Sequence, residues 1–330
     1  MKKKLSRWAL DVWYQDHFIG AWLMPLGFLF ADFVKFRKFL FRIGVLKTHK
    51  LGVPVIVVGN ITVGGTGKTP LVIWLAQLLT EAGFRPGIIS RGYGAQEISS
   101  PIVVNTASVA SEVGDEALLL AKKSACPVAV SPMRADSAKL LIEQFDCNVI
   151  LSDDGLQHYA LHRDIEIAVI DGERRFGNSY CLPAGPLREP IERLQSVDFI
   201  IVNGKASEPG EITMQFIGDT AVNLATGERK PLSEFSGIDC HALAGIGNPG
   251  RFFAMLAVAG VDCKTHSFPD HYQFQRQDIE FKTGQAVLMT EKDAVKCIDF
   301  AGDQHWFVPV TAVPEADFGQ RLLNLLREKT

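Results

Sequence analysis

The most specific chemistry in this 330-residue chain sits in one short stretch, Thr62-Val63-Gly64-Gly65-Thr66-Gly67-Lys68-Thr69. The β-branched apolar run Val53–Val58 precedes it. Leu71, Ile73, Trp74, Leu75, Leu78 and Leu79 follow at helical spacing. Strand, glycine-rich turn, Gly-Lys-Thr and helix is the context of a phosphate-binding P-loop. Glycines let successive backbone N–H groups turn onto phosphate oxygens, and the helix N-terminus adds partial positive charge. Lys68 is expected on the β- and γ-phosphates, and the Thr69 hydroxyl on Mg²⁺. Thr62 stands where the pattern G-x-x-x-x-G-K-T has its first glycine.

Carboxylates supply the next signals. Val149-Ile150-Leu151-Ser152-Asp153-Asp154-Gly155 is an apolar strand ending in two acids. In P-loop enzymes an acid at such a strand end holds Mg²⁺, so Asp153, Asp154 or both are candidates. Gly114-Asp115-Glu116 reads as a helix start. Asp115 there is either an N-cap or a proton acceptor, and Glu116 either a first-turn acid or part of the Mg²⁺ site. In Phe268-Pro269-Asp270-His271-Tyr272, a loop histidine is positioned to assist a carboxylate across a cleft or to lie on the surface. Ser90-Arg91-Gly92-Tyr93-Gly94, Arg134, Gln157-His158, Arg174-Arg175 and Arg188 add phosphate-matching and hydrogen-bonding groups near strand ends. Thr290-Glu291-Lys292-Asp293 closes a late strand and is a weaker nucleotide-contact candidate.

The elements that must position these residues alternate. Strands are expected at 54–58, 86–90, 127–131, 148–152, 166–170 and 198–203, with helices between, the pattern of a doubly wound parallel sheet. The expected organisation is a P-loop core over 51–210 and a connector with short strands over 211–235. A smaller α/β domain over 236–312 and a C-terminal helix over 313–330, packing back on the core, complete it. Residues 1–50 differ: they carry ten Lys/Arg and three Asp/Glu, a charge of +7, which leaves −10 for the rest of a chain whose net charge is −3. Phe18–Ala31 is an uncharged, mostly apolar run interrupted by Pro25, too short to span a bilayer, which needs roughly 20 apolar residues. Trp8, Trp13, Tyr14 and Trp22 and the later Phe33, Phe36 and Phe39 alternate with Lys35, Arg37, Lys38 and Arg42. Aromatics on one face and cations on another describe helices lying at an anionic membrane surface. The bland alternative is a helical hairpin packed on the core. Asp11 and Asp16 ahead of the apolar run argue against a signal peptide. At 47% hydrophobic residues the chain is not disordered. Its six cysteines show no C-x-x-C pair and no metal spacing, which suits a reducing compartment.

Residues alone leave open a kinase, a nucleotide-dependent switch of the partitioning or metal-insertion type, and an ATP-dependent ligase. The motifs together closely resemble one family, the tetraacyldisaccharide 4′-kinases. The resemblance rests on the N-terminal aromatic and basic segment, Gly59-Asn60 with Thr62–Pro70, Ser90–Gly94, Gly114–Glu116 and Ser152–His158. Leu182–Pro190 and Phe268–Tyr272 complete it in family order along nearly the whole chain. Thr62 fits this family's pattern. The resemblance implies a P-loop fold with membrane-surface helices and a small second domain on a two-stranded linker. It implies transfer of the ATP γ-phosphate to the 4′-hydroxyl of a tetraacylated glucosamine disaccharide 1-phosphate, with Mg²⁺, at the cytoplasmic face of the Gram-negative inner membrane. Asp115 and His271 fall on its Asp–His base pair. Glu116, Asp153 and Asp154 fall on its Mg²⁺ shell. Tyr93, Arg134, Gln157, His158 and Arg188 fall on its lipid-sugar side. The partners implied are the lipid A disaccharide precursor and an anionic membrane, with no nucleic acid and no obligate protein partner.

Overall fold

The structure, a computed structural model, describes residues 11–15, 18–95, 98–281 and 284–329; Trp8 and Asp16 of the N-terminal reading lie outside them. Helix α1 (Phe18–Arg42) leads into β1 (Val55–Gly59), α2 (Lys68–Glu81), β2 (Pro86–Ser90), β3 (Ile102–Val104), α3 (Ala110–Val113) and α4 (Asp115–Lys123). Next come β4 (Val128–Val130), α5 (Arg134–Phe145), β5 (Val149–Ser152), β6 (Ile165–Asp171), β7 (Phe199–Asn203) and β8 (Glu211–Ile217). The remainder runs β9 (Thr220–Asn223), β10 (Arg229–Pro231), β11 (Cys240–Ala244), α6 (Pro249–Val258), β12 (Cys263–Ser267), α7 (Arg276–Ile279) and β13 (Ala286–Thr290). It ends with α8 (Glu291–Ala294), β14 (His305–Val308), β15 (Thr311–Pro314) and α9 (Phe318–Lys329).

Nine strands form the larger sheet in the order β15-β8-β7-β6-β1-β5-β2-β4-β3. All neighbours are parallel except the two edge strands, β15 on β8 and β3 on β4. A central parallel strand is buried on both faces, so its sequence reads as an unbroken apolar run. In β1, Ile56 and Val58 join Leu71, Leu75 and Leu79 of α2 in one core layer, while Val55 and Val57 join Ala135, Ala138 and Leu141 of α5 in the other. α9 closes the first layer: Phe318 is fully buried and its ring stacks 5.6 Å from Trp74. The smaller sheet, β10-β9-β14-β13-β11-β12, has its own apolar layers around Leu256, Leu288 and Trp306 and around Phe274 and Met289.

The structure differs from the sequence expectation at three places. The stretch 211–235 is not one connector: β8 joins the larger sheet beside β7, and only β9 and β10 join the smaller. The chain returns on β15, antiparallel to β8. α1 runs unbroken through Pro25 for 25 residues and is, by length and composition alone, long and apolar enough to cross a membrane. The uncharged run ends before Asp32, whereas the helix continues through a charged, aromatic second half. Finally, Cys240 and Cys263 are register partners of β11 and β12 and form a disulfide. Strand register, not sequence spacing, brings them together.

Candidate active site

The P-loop joins β1 to α2, as the alternation of apolar strand and helix requires. Gly67, with φ 96°, is the N-cap of α2 and releases Lys68 and Thr69 into its first turn. Asn60, fully buried at the end of β1, braces the loop from inside. Its amide donates to the Gly64 carbonyl at 3.2 Å, and its Oδ1 accepts from Lys68 Nζ at 3.2 Å. The expected phosphate cradle narrows at its start. The Val63 N–H donates to the Pro186 carbonyl at 2.8 Å and Thr62 bridges Leu187, so these two residues are braced by the 183–189 loop. Gly65, Thr66, Gly67, Lys68 and Thr69 line the cavity.

The two acids after β5 have separated. Asp154 accepts from Arg188 Nη1 at 2.9 Å and lies 3.4 Å from Lys68 Nζ. Burial opposes its charge, but Lys68 and Arg188 outweigh it and hold the carboxyl well below the usual range. Asp153 is the reverse case: both carboxylate oxygens are buried without a hydrogen-bond partner. Its burial, then the nearby Glu116, push its pKa up to about 7 against the pull of Lys68. A buried, orphaned carboxylate beside a second acid needs a proton or a cation.

Asp115 opens α4 just after Gly114, the N-cap, whose φ is 91°. A Cβ on Gly114 would stand 2.7 Å from the Tyr93 carbonyl, so the close approach of the 91–94 loop requires glycine. The cap is therefore Gly114 and not Asp115. The Asp115 carboxylate instead faces the smaller sheet, where His271 Nδ1 lies 3.1 Å from Oδ1 and 3.2 Å from Oδ2. Burial raises the Asp115 pKa, yet the His271 hydrogen bond and the Lys292 charge outweigh that and the net shift is downward. Burial disfavours the His271 imidazolium, but the bond to Asp115 more than compensates and the net shift is upward. The two shifts describe an ion pair between units whose sequence positions lie 156 residues apart.

Around this pair the units meet through charge. Lys292 Nζ is 2.8 Å from Glu116 and 3.1 Å from Asp270; Lys123 is 2.7 Å from Glu291; Lys296 is 4.0 Å from Asp115. On the other side of the P-loop, Arg251 donates to Asp171 at 2.7 Å and Arg174 donates to the Gly247 carbonyl. A Cβ on Gly247 would collide with the backbone of Gly65, so loop 245–248 lies directly against the P-loop. Between the two units a cavity of about 420 Å³ is lined by the P-loop, Glu116, Asn203, Phe216, Phe252, Met255 and Lys292. That volume lies within the usual range of small-molecule sites, and the apolar end at Phe216 and Met255 suits a planar base.

The residues read as the lipid-sugar side lie outside the lining of this cavity. Tyr93 is exposed, its ring 4.7 Å from that of His271. Gln157 Nε2 donates to the Asn60 carbonyl, and the Gln157 carbonyl accepts from Arg37 of α1 at 3.1 Å. Burial and the charges of Arg134 and Arg163 push His158 down to about 4, leaving a neutral ring at neutral pH. Arg134 departs from the expectation of a guanidinium offered to a sugar phosphate. It is buried, and it donates to Ser152 Oγ and to the Asp154 carbonyl.

The family model described as tetraacyldisaccharide-1-P 4′-kinase matches residues 19–327. The chain belongs to that family. Among curated tetraacyldisaccharide 4′-kinases, that of Nitrosococcus oceani is 50% identical over 324 residues, 98% of this chain and 95% of its own length. That of Methylobacillus flagellatus is 47% identical over 99% of this chain and 98% of its own. A crystal structure of LpxK from Aquifex aeolicus in complex with ATP superposes with a TM-score of 0.78 at 30% identity, covering 94% of this chain and 99% of that one. As a tetraacyldisaccharide 4′-kinase family member, the protein is a P-loop kinase, a transferase acting on a hydroxyl. Asn60 and Asp270 lie inside the sequence motifs without a role of their own there, whereas Lys296, Arg251 and loop 245–248 carried no signal in the sequence.

Proposed function

We propose that this kinase transfers the γ-phosphate of ATP to the 4′-hydroxyl of tetraacyldisaccharide 1-phosphate, giving a 1,4′-bisphosphate, at the cytoplasmic face of the inner membrane. The observation that carries the reading is the Asp115–His271 pair, assembled from two units at the edge of the cavity that holds Lys68. In the reaction the bond from the γ-phosphorus to the ADP oxygen breaks as a bond to the sugar oxygen forms. The hydroxyl proton passes to Asp115. The loose transition state needs little pull from a base, which suits a carboxylate already paired with His271. Lys68 and the N–H groups at the start of α2 stabilise the phosphate charge. Docking of loop 245–248 on the P-loop and of His271 on Asp115 would exclude water and limit wasteful hydrolysis. ATP turnover with and without detergent-solubilised disaccharide tests this: turnover should depend on lipid, and lipid-independent hydrolysis at the full rate would favour a nucleotide switch.

Mg²⁺ fits the site, because Asp153 presents two buried oxygens without partners beside Glu116, and hard oxygen donors suit this ion. Asp153, Glu116 and the Thr69 hydroxyl would hold it, with Asp154 kept on Lys68 and Arg188. The ion would neutralise charge on the triphosphate. Since the Asp153 carboxyl sits at about 7, a proton competes with the metal below that pH. Mg²⁺ affinity should therefore weaken as pH falls from 8 to 6, and Asp153→Asn should abolish the trend. A pH-independent Mg²⁺ titration in the unsubstituted protein would remove Asp153 from the site.

α1 supports membrane binding. Phe18, Trp22, Leu26, Leu29, Phe33 and Phe36 recur at three- and four-residue intervals and are all exposed, Trp22 at 81%. The opposite side is pinned to the core through Gly27, Arg37 and Lys38, which argues for a helix lying in the interface. Leu29→Glu with Phe33→Glu should release the protein from anionic vesicles and raise KM for lipid without changing KM for ATP. Binding should weaken with salt, since cations near the surface contribute about 1 kcal/mol each. Unchanged partition of the double variant would make α1 a surface helix of the fold only.

A further inference from the structure

We propose that Lys292 is a second catalytic cation of this site, contacting the terminal phosphoryl group of bound ATP from the smaller sheet's side of the cavity. The inference rests on the phosphoryl-transfer reading above and adds a residue to it. The four residues of Thr290-Glu291-Lys292-Asp293 have different tasks. The Thr290 hydroxyl caps α8 by accepting the Asp293 N–H at 3.2 Å and donates to its carboxylate at 2.7 Å. Asp293, fully buried, also accepts the Gly245 N–H and the Lys296 ammonium. Glu291 pairs with Lys123. These contacts fix a short, rigid cap at the strand end, and Lys292 is the residue it aims across the gap between the units. Its side chain is largely buried, and the residue lines the cavity together with Lys68 and Thr69.

Both partners of Lys292 are acids placed around the transfer. Glu116 follows the base Asp115, and Asp270 precedes His271. An ammonium with three donors, held between two carboxylates, is poised to exchange one of them for a phosphate oxygen. A triphosphate seated on Lys68 brings such oxygens into the same cavity. Lys292 keeps its protons throughout; it stabilises charge on the phosphoryl group while the sugar proton goes to Asp115. Being carried by the unit that also carries His271, it arrives only when the units are docked.

The test separates ATP from ADP in EDTA, so that no role in holding a metal contributes. Lys292→Met should lower ATP affinity roughly 10- to 100-fold, the worth of one charge-assisted hydrogen bond, and leave ADP affinity unchanged. Lys292→Arg should keep most of the ATP preference. Equal losses for both nucleotides, or no loss for either, would overturn the proposal and leave Lys292 a structural tie. Lys292→Gln, which retains a donor to Glu116, is measured for the same ratio and decides the matter if the methionine variant does not fold. If the unsubstituted protein binds neither nucleotide even with Mg²⁺ restored, the phosphoryl-transfer reading fails instead.

Discussion

Lys68→Ala should reduce phosphoryl transfer by at least 10³-fold, the scale of removing a cation from the transferring phosphate. The fold should survive. Asp154, the ionic partner of Lys68, keeps its 2.9 Å contact to Arg188, and Asn60 keeps its bond to Gly64, so no buried charge is left alone. Lys68→Arg should restore little, because a planar guanidinium does not fit a site built around Asn60 Oδ1 and Asp154 at 3.2 and 3.4 Å. Steady-state kinetics beside the thermal midpoint check this. A folded alanine variant with near-normal turnover would overturn the P-loop assignment.

The second large effect belongs to the pair that bridges the units. Asp115→Asn should lower kcat by roughly 10²- to 10⁴-fold, the range for a positioned base, with KM for ATP almost unchanged. His271→Ala should lower kcat as well, and the double variant should be little worse than the more damaging single, since residues acting as one unit are non-additive. The pair also sets a pH window for docking. Asp115 has a depressed pKa, so its contribution is present above the unfolded carboxyl pKa and lost as pH falls through the folded one. His271 has a raised pKa, so its contribution is present below the unfolded imidazole pKa and lost as pH rises through the folded one. Docking should be tightest between those limits, a maximum that protection of loop 245–248 from amide exchange would reveal. Fully multiplicative kinetic losses in the double variant would show that Asp115 and His271 do not act together.

What was legible in the sequence follows from where each physical constraint is local. β1 and β5 were readable because both faces are buried and the runs are almost continuously apolar, and β2 and β6 because they are fully buried and rich in isoleucine, although Glu166 interrupts β6. The P-loop was readable because glycine, lysine and threonine act within eight residues. The split between Asp153 and Asp154 was not, since it is set by Arg188 and Glu116, which only the folded sheet brings to them. The same holds for Arg134, whose inward turn depends on Ser152 and the Asp154 carbonyl. Asp115 and His271 entered through family resemblance, and residue chemistry alone left an N-cap equally open. The length of α1 was not legible from its uncharged run, which ends at Ala31, because the helix continues through the charged residues Asp32 to Arg42; Pro25 is tolerated within it where packing against the core holds both flanks, at Gly20 and Gly27.

The most direct test of the central claim is the fate of the γ-phosphate. Purified protein is incubated with ATP, Mg²⁺ and tetraacyldisaccharide 1-phosphate in detergent, and the lipid product is mapped by tandem mass spectrometry. The account predicts a new phosphate on the 4′-oxygen of the distal sugar, with ADP formed in equal amount and no product from Asp115→Asn beyond a trace. ADP released without phosphorylated lipid, or a phosphate on any other hydroxyl, would contradict it.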